Sequence, residues 1–183
     1  GDGGQFPPSE LPPGAEQRLV RLTDFSIISP GLNKTGDKIL YYQKEGGDLF
    51  QQNFDGTGQE KITNLTVGGL VEALWSPTGD RSAVFYLDQE LLKGFLHINA
   101  STTAALPENV KSFSWSPDGK SLAYALERSR RLTLTISDQS GRNGRIVFTT
   151  PILDASIRWT TGDRIAFQTA PSGVAEGFVF AYS

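Results

Sequence analysis

Apolar and polar residues alternate with a period of two in short runs along most of the chain. Val71, Ala73 and Trp75 form one such run; Phe113 with Trp115, and Ala155 with Ile157 and Trp159, form others. That period puts one set of side chains on one face of an extended strand. Each run leads into a turn and then a second apolar segment: Ile39–Tyr42, Ser82–Tyr86, Leu122–Leu126 and Ile165–Phe167. Third strands are predicted over Asp48–Phe54, Phe95–Ile98, Leu132–Ile136 and Phe178–Tyr182. Weaker outer strands are predicted near Lys61–Thr63, Thr103–Leu106 and Ile146–Thr149. The pattern is that of an all-β chain in four groups of strands.

The turns between first and second strands repeat. Leu32-Asn33-Lys34-Thr35-Gly36, Trp75-Ser76-Pro77-Thr78-Gly79, Trp115-Ser116-Pro117-Asp118-Gly119 and the shorter Trp159-Thr160-Thr161-Gly162 align on their glycines, which recur every 40–43 residues. In such a turn Pro presets φ, Asp bonds the turn with its side chain, and Gly accepts a positive φ. A repeat of about 40 residues matches one four-stranded propeller blade. Ala83, Ala123 and Ala166 hold one position in the second strands. A small residue there lets neighbouring blades approach closely.

These residues resemble the TolB-type propeller repeat, a WD-repeat-like family, over roughly residues 22–183. The third repeat carries the motif intact, and the first has lost its Trp, Ser and Pro. The resemblance implies a β-propeller of four four-stranded blades, over about 25–64, 68–107, 109–150 and 153–183. It also implies a binding platform rather than an enzyme, placed outside the cytoplasm of a bacterium, in the periplasm or at the cell surface. Residues 1–16, with two Pro-Pro pairs, read as a linker or tail. Gln17–Leu22 reads as a spare outer strand. Pairing it with the last repeat would close a four-bladed ring and remove both exposed edges. The same offset suits half of a larger ring, completed by a longer chain or by a second copy.

Composition narrows the function classes. The 183 residues carry a net charge of −3, so no general polyanion binder is indicated and no nucleic-acid partner is expected. Gly 20 and Pro 10 fit a turn-rich chain. Cys 0 excludes disulfides, thiolate metal sites and a Cys nucleophile. Met 0 predicts a processed form or a piece of a longer protein. No apolar run is long enough to span a membrane as a helix.

No catalytic residue, metal ligand or cofactor is predicted. A hydrolytic triad needs a base, and the single His, His97, reads as a partly exposed residue in mid-strand. Asp55-Gly56 and Asp118-Gly119 read as turns rather than calcium ligands. Glu72 and Arg158 lie on innermost strands, on the face opposite the Trp register, where they are candidates to line a central channel. Ser29, Ser112 and Ser156 share the register of Glu72. Longer loops are expected at Lys44–Gly47, Asp88–Gly94, Glu127–Arg131 and Thr169–Gly177, gathered on one face, where binding residues concentrate. Arg128, Arg130 and Arg131 would there meet an acidic partner, and Pro171 and Val174 would offer an apolar contact. The expected partner is a protein or a second copy of the chain. The alternatives are the accessory propeller of a larger hydrolase or peptidase, and a small-ligand or ion site in the channel.

Overall fold

The computed structural model describes residues 21–171 and 176–182. Among these residues there is no helix; the chain forms four antiparallel sheets, each built from consecutive strands. The first sheet holds β1 (Ile27–Leu32), β2 (Ile39–Gln43), β3 (Leu49–Gln52) and β4 (Glu60–Lys61), in that spatial order. The second holds β5 (Leu70–Trp75), β6 (Ser82–Asp88), β7 (Leu91–Asn99) and β8 (Thr102–Ala105). The third holds β9 (Val110–Trp115), β10 (Ser121–Arg128), β11 (Arg131–Asp138) and β12 (Arg145–Thr150). The fourth has three strands, β13 (Ala155–Trp159), β14 (Ile165–Thr169) and β15 (Val179–Tyr182).

The repeated turn forms as its residue types dictate. Gly79 N–H donates to the Ser76 carbonyl at 2.9 Å, and Gly119 N–H does the same to Ser116. Both glycines sit at positive φ, 66° and 69°. The Asp118 carboxylate accepts from the Ser116 hydroxyl at 2.6 Å and from the Lys120 N–H at 3.0 Å. Those bonds, the Ser116 hydroxyl first, hold it below the ordinary carboxylate range. Asp55 is occupied in the same way by Thr57, through its hydroxyl and its N–H. Both carboxylates therefore serve their turns.

Packing lies between sheets, because each sheet buries a face against the next. Leu40, Tyr42 and Leu49 of the first sheet meet Leu70, Ala73 and Val84 of the second. On its other face the second sheet places Ala83, Phe85 and Leu96 against Phe113, Trp115, Leu122 and Tyr124 of the third. Ala123, Ala125, Leu132 and Leu134 then meet Ile157, Ile165 and Phe167 of the fourth. Each fully buried Leu in these layers contributes about 1.5–3 kcal/mol through the water it gives up. The motif alanines Ala83 and Ala123 are 0% exposed, which is the close sheet approach expected of a small side chain.

Two of the expected loops are not loops. β6 and β7 pair without interruption out to Asp88↔Leu91, leaving only Gln89 and Glu90 as the turn. β10 and β11 do the same out to Arg128↔Arg131, around Ser129 and Arg130. All four turn residues have positive φ, the backbone of a two-residue hairpin turn whose twist matches the strands. Gln-Glu and Ser-Arg lack the Asn-Gly or Asp-Gly signature, so the turns do not announce themselves.

The sheets do not close into a ring among the described residues: no strand pairs with the outer edge of β15. Of the proposed clasp Gln17–Leu22, residues 17–20 lie outside the described residues. Arg21 and Leu22 are not in a strand. The Leu22 carbonyl instead accepts from the Gln52 side-chain amide at 3.2 Å, on the first sheet.

Candidate functional site

The fourth sheet is where the repeated architecture leaves surface uncovered. In the first three sheets an outer strand covers the third, and Ile62, Ala104 and Phe148 at those outer strands pack against the inter-sheet cores. In the fourth, β15 is itself the outer strand. Phe178 and Phe180 are exposed there, and Val179, on the opposite face of the strand, is exposed to 70%.

A groove of about 330 Å³ runs beside this edge, lined by Phe148, Thr150, Ile152, Phe167, Phe180 and Tyr182. Its shape comes from two facing registers. Phe167 pairs with Phe180 and Ile165 with Tyr182, so all four side chains point from the fourth sheet toward the third. Phe148 reaches across from β12, its ring 5.5 Å from Phe167 and 6.3 Å from Tyr182. The lining is aromatic and aliphatic, and the outer edge of β15 has no strand partner among the described residues. That combination suits an extended peptide with an apolar side chain, because the edge supplies hydrogen bonds and the groove supplies selectivity.

The residues singled out from the sequence are dispersed. Glu72 is exposed on β5, on the face toward the third sheet, and Arg158 is exposed on β13, on the face turned away from it. No ion pair joins them among the described residues. Arg128, Arg130 and Arg131 form an exposed basic hairpin tip, with Arg128 and Arg131 directly opposite each other. Pro171 is exposed in the segment after β14, and Val174 lies outside the described residues. That segment is anchored at its base by the Phe178 N–H, which donates to the Thr169 hydroxyl at 2.8 Å.

His97 is not a partly exposed strand residue. It is 4% exposed, because it alternates with Leu96 and so faces the first sheet. The Tyr42 hydroxyl lies 2.7 Å from both His97 Nδ1 and Ser82 Oγ, joining the two sheets through a buried polar chain. Burial pushes the Tyr42 phenol well above its ordinary value and the His97 imidazole below its own. Ser82 is 0% exposed, so its hydroxyl is closed to a substrate despite its nearness to an imidazole. The chain serves cohesion between sheets. The period-two pattern of β7 could have shown which face His97 takes, but not that a tyrosine 55 residues earlier would meet it.

The chain is similar in fold to several β-propeller proteins. TolB from Acinetobacter baumannii superposes with a TM-score of 0.54 at 17% identity, over 85% of this chain and 39% of that one. The β-propeller domain of the Trilobed protease from Pyrococcus furiosus, described as having an open velcro topology, gives 0.59 at 14% identity, over 86% and 54%. An acylaminoacyl peptidase from Pyrococcus horikoshii gives 0.58 at 12% identity, over 86% and 30%. This chain therefore spans between about a third and a little over half of each of these structures. No family model matches the sequence, and no curated protein matches it. The likeness is one of fold: four antiparallel sheets stacked in sequence, as in TolB-like and other propellers.

Proposed function

We propose that this chain is a non-enzymatic β-propeller scaffold that binds protein, a partner or a second copy of itself, at the outer edge of its fourth sheet. The observation that carries the reading is the β15 edge, unpaired among the described residues, beside the groove of Phe148, Phe167, Phe180 and Tyr182. An open apolar edge is a template for an added strand, which native proteins otherwise cover or blunt with charge. A contiguous apolar patch rimmed by polar residues is the usual mark of a protein-binding surface. The basic tip at Arg128, Arg130 and Arg131 would bias the partner toward acidic character by long-range attraction. An extracytoplasmic setting, in the periplasm or at the cell surface, belongs to this reading and rests on the resemblance to TolB-type repeats.

The test is selection of binders from a random displayed-peptide library against the full chain, followed by amide hydrogen exchange of the complexes. The expected binders have alternating apolar residues, slow the exchange of Val179–Tyr182, and are lost in Phe180→Asp. Binders that protect other segments and survive Phe180→Asp would overturn the site. A hydrolytic turnover that tracks the purified chain would overturn the non-enzymatic reading.

A further inference from the structure

Among the described residues only two buried side-chain nitrogens lack a hydrogen-bond partner, Arg81 Nε and His97 Nε2. A buried polar atom left unmet works against the folded state, so each instance calls for a reason. The Arg81 guanidinium turns to the Gln139 side-chain oxygen of the third sheet. His97 faces the other way, toward the first sheet, where it lines a cavity of about 250 Å³.

The hydrogen-bond network decides which ring nitrogen carries the proton. Burial keeps the imidazole neutral, with a single N–H. The chain of Ser82, Tyr42 and His97 can run in two directions. If Nδ1 donated to Tyr42 and Tyr42 to Ser82, the buried Ser82 proton would have no acceptor and Nε2 would be a bare lone pair. If Ser82 donates to Tyr42 and Tyr42 to Nδ1, every hydroxyl proton is used and the ring N–H stands on Nε2. The second direction leaves one group unmet instead of two, so Nε2 is a donor that needs an acceptor. The Asn99 carbonyl favours a proton there but does not reach bonding geometry.

The cavity lies between the first and second sheets. Leu40, Leu49, Ile62 and Trp75, all part of the apolar layer joining those sheets, form its apolar wall. Lys34 and Asn99 hold exposed positions in the same lining. Among the described residues Lys34 has no ion pair. The one carboxylate of the lining, Asp80, accepts from the Thr78 hydroxyl at 2.6 Å and the Ser76 hydroxyl at 3.2 Å, so its own turn occupies it. Glu60, just outside the lining, is held by the Gln51 amide at 2.7 Å.

Packing of the repeat does not require this polar chain. At the next junction the positions of Tyr42, Ser82 and His97 are taken by Phe85, Leu122 and Ser137. Phe85 and Leu122 there belong to a continuous apolar core, and Ser137 bonds only the adjacent Asp138 carbonyl. An apolar layer is thus enough to join two sheets, and a buried imidazole with one nitrogen unmet is a poorer way of doing it.

We infer that this cavity binds a small monocarboxylate with an apolar body, whose oxygen accepts from His97 Nε2–H and whose charge is met by the Lys34 ammonium. The body lies against Leu40, Leu49, Ile62 and Trp75, which exclude water from it. A carboxylate drawn into an apolar site needs both a cation and a hydrogen bond to offset the water it loses, and the lining supplies one of each. Nε2 is closed to bulk water, so the oxygen seats as the exposed Asn99-Ala100 turn gives way. β7 is bulged between His97 and Asn99, which frees that turn from the strand ladder. The site lies between the first two sheets and the proposed peptide site at the fourth, so the two stand or fall separately.

The experiment titrates the full isotope-labelled chain with isocaproate and follows it by NMR. His97 is the single histidine of the chain, so its ring signals identify themselves. We expect saturable shifts of the His97 Nε2, the Trp75 indole and the Asn99 and Ala100 amide signals, with a Kd of about 1 mM or tighter. Isohexylamine, of similar shape and opposite charge, moves none of them, and isocaproamide binds at least about fivefold more weakly. Lys34→Ala, on an exposed turn, weakens isocaproate about two- to fivefold. His97→Gln, followed at the Trp75 indole, weakens it about tenfold. Equal affinity for acid, amide and amine, or affinity unchanged in both variants, would mean an apolar hole without carboxylate recognition and overturns the inference. No saturable shift at His97, or shifts confined to Phe180 and Tyr182, overturns it as well. Phe180→Asp leaves the isocaproate titration intact while abolishing peptide binding, which separates failure of this inference from failure of the edge site.

Discussion

The Ser29 hydroxyl accepts a hydrogen bond from the Ala73 N–H, 44 residues later, at 2.7 Å. An innermost strand has no neighbour on one side, so the N–H groups on that side need an acceptor from elsewhere. The preceding sheet provides it through a serine. Ser112 repeats the bond to Ile157, and Ser114 adds one to the Trp159 N–H at 2.8 Å. Glu72 occupies the serine register in the second repeat, and among the described residues it makes no such bond. Ser112→Ala should therefore cost about 1–2 kcal/mol by stranding the Ile157 N–H. Glu72→Ala, on an exposed side chain, should stay within about 0.5 kcal/mol. Urea unfolding midpoints of the two variants check the contrast.

The tryptophans divide in the same way. Trp115 is buried, and its indole N–H reaches the Leu74 carbonyl across the junction of the second and third sheets at 2.8 Å. The Trp159 indole instead bonds the Gly162 carbonyl of its own exposed turn, also at 2.8 Å. Trp115→Phe keeps an aromatic ring in the layer but leaves a carbonyl at the junction unpaired, at an expected cost of about 1–3 kcal/mol. Trp159→Phe should cost clearly less, since water can replace its bond. Thermal unfolding of both variants gives the order, and an equal loss would remove the indole from its role as a clamp between sheets.

Much of this architecture is visible in the residues themselves. Val71, Ala73 and Trp75, or Ile157 and Trp159, announce their strands by alternation, and Gly79 and Gly119 mark turns that only a positive φ can close. What stays hidden is of two kinds. Hairpin turns at Gln89-Glu90 and Ser129-Arg130 are set by the strands that flank them, not by turn residues, so strands there read as loops. Contacts between sheets, such as Tyr42 with His97 or Ser29 with Ala73, join residues 40 or more positions apart whose types are unremarkable singly. The apolar edge at β15 belongs to the second kind: Phe180 looks like any strand residue until the sheet order shows that no described strand lies on its outer side.

His97 gives the stability of the chain a pH dependence of definite sign. Its imidazole is held below the ordinary value of 6.5, chiefly because burial disfavours the charged form. The unfolded chain therefore binds a proton at a higher pH than the folded one. Stability from this group is complete above about 6.5 and falls as pH drops from there through the folded value. The urea midpoint should decline as the pH falls below about 6.5, and in His97→Gln this part of the decline should vanish while Tyr42 retains a side-chain partner. A midpoint that stays flat below about pH 6.5 in the parent chain would mean that His97 titrates alike in both states.

Three glycines of the repeated turn share a backbone but not surroundings, and substitution should separate the two contributions. Gly36, Gly79 and Gly119 have φ of 73°, 66° and 69°. Alanine at any of them carries the strain of a left-handed conformation, about 1–2 kcal/mol. At Gly36 a Cβ meets nothing within 4 Å, so that strain is the whole effect. At Gly119 the Cβ lies 3.1 Å from the Thr78 side chain, which can yield only by loosening its hydroxyl's bonds to Asp80 and Ser76. At Gly79 it falls 2.6 Å from the Leu32 carbonyl oxygen and 2.8 Å from the Asn33 carbonyl carbon, main-chain atoms of the preceding turn. Backbone held in a hydrogen-bonded turn cannot yield as a side chain does, so the first two sheets must move apart. Gly79→Ala should thus lose about 3 kcal/mol or more, Gly119→Ala less, and Gly36→Ala least. Calorimetric unfolding of the three variants reads the order directly. If Gly36→Ala matched Gly79→Ala, backbone strain alone would account for the turn glycines. The close seating of one turn against the next would then contribute nothing measurable.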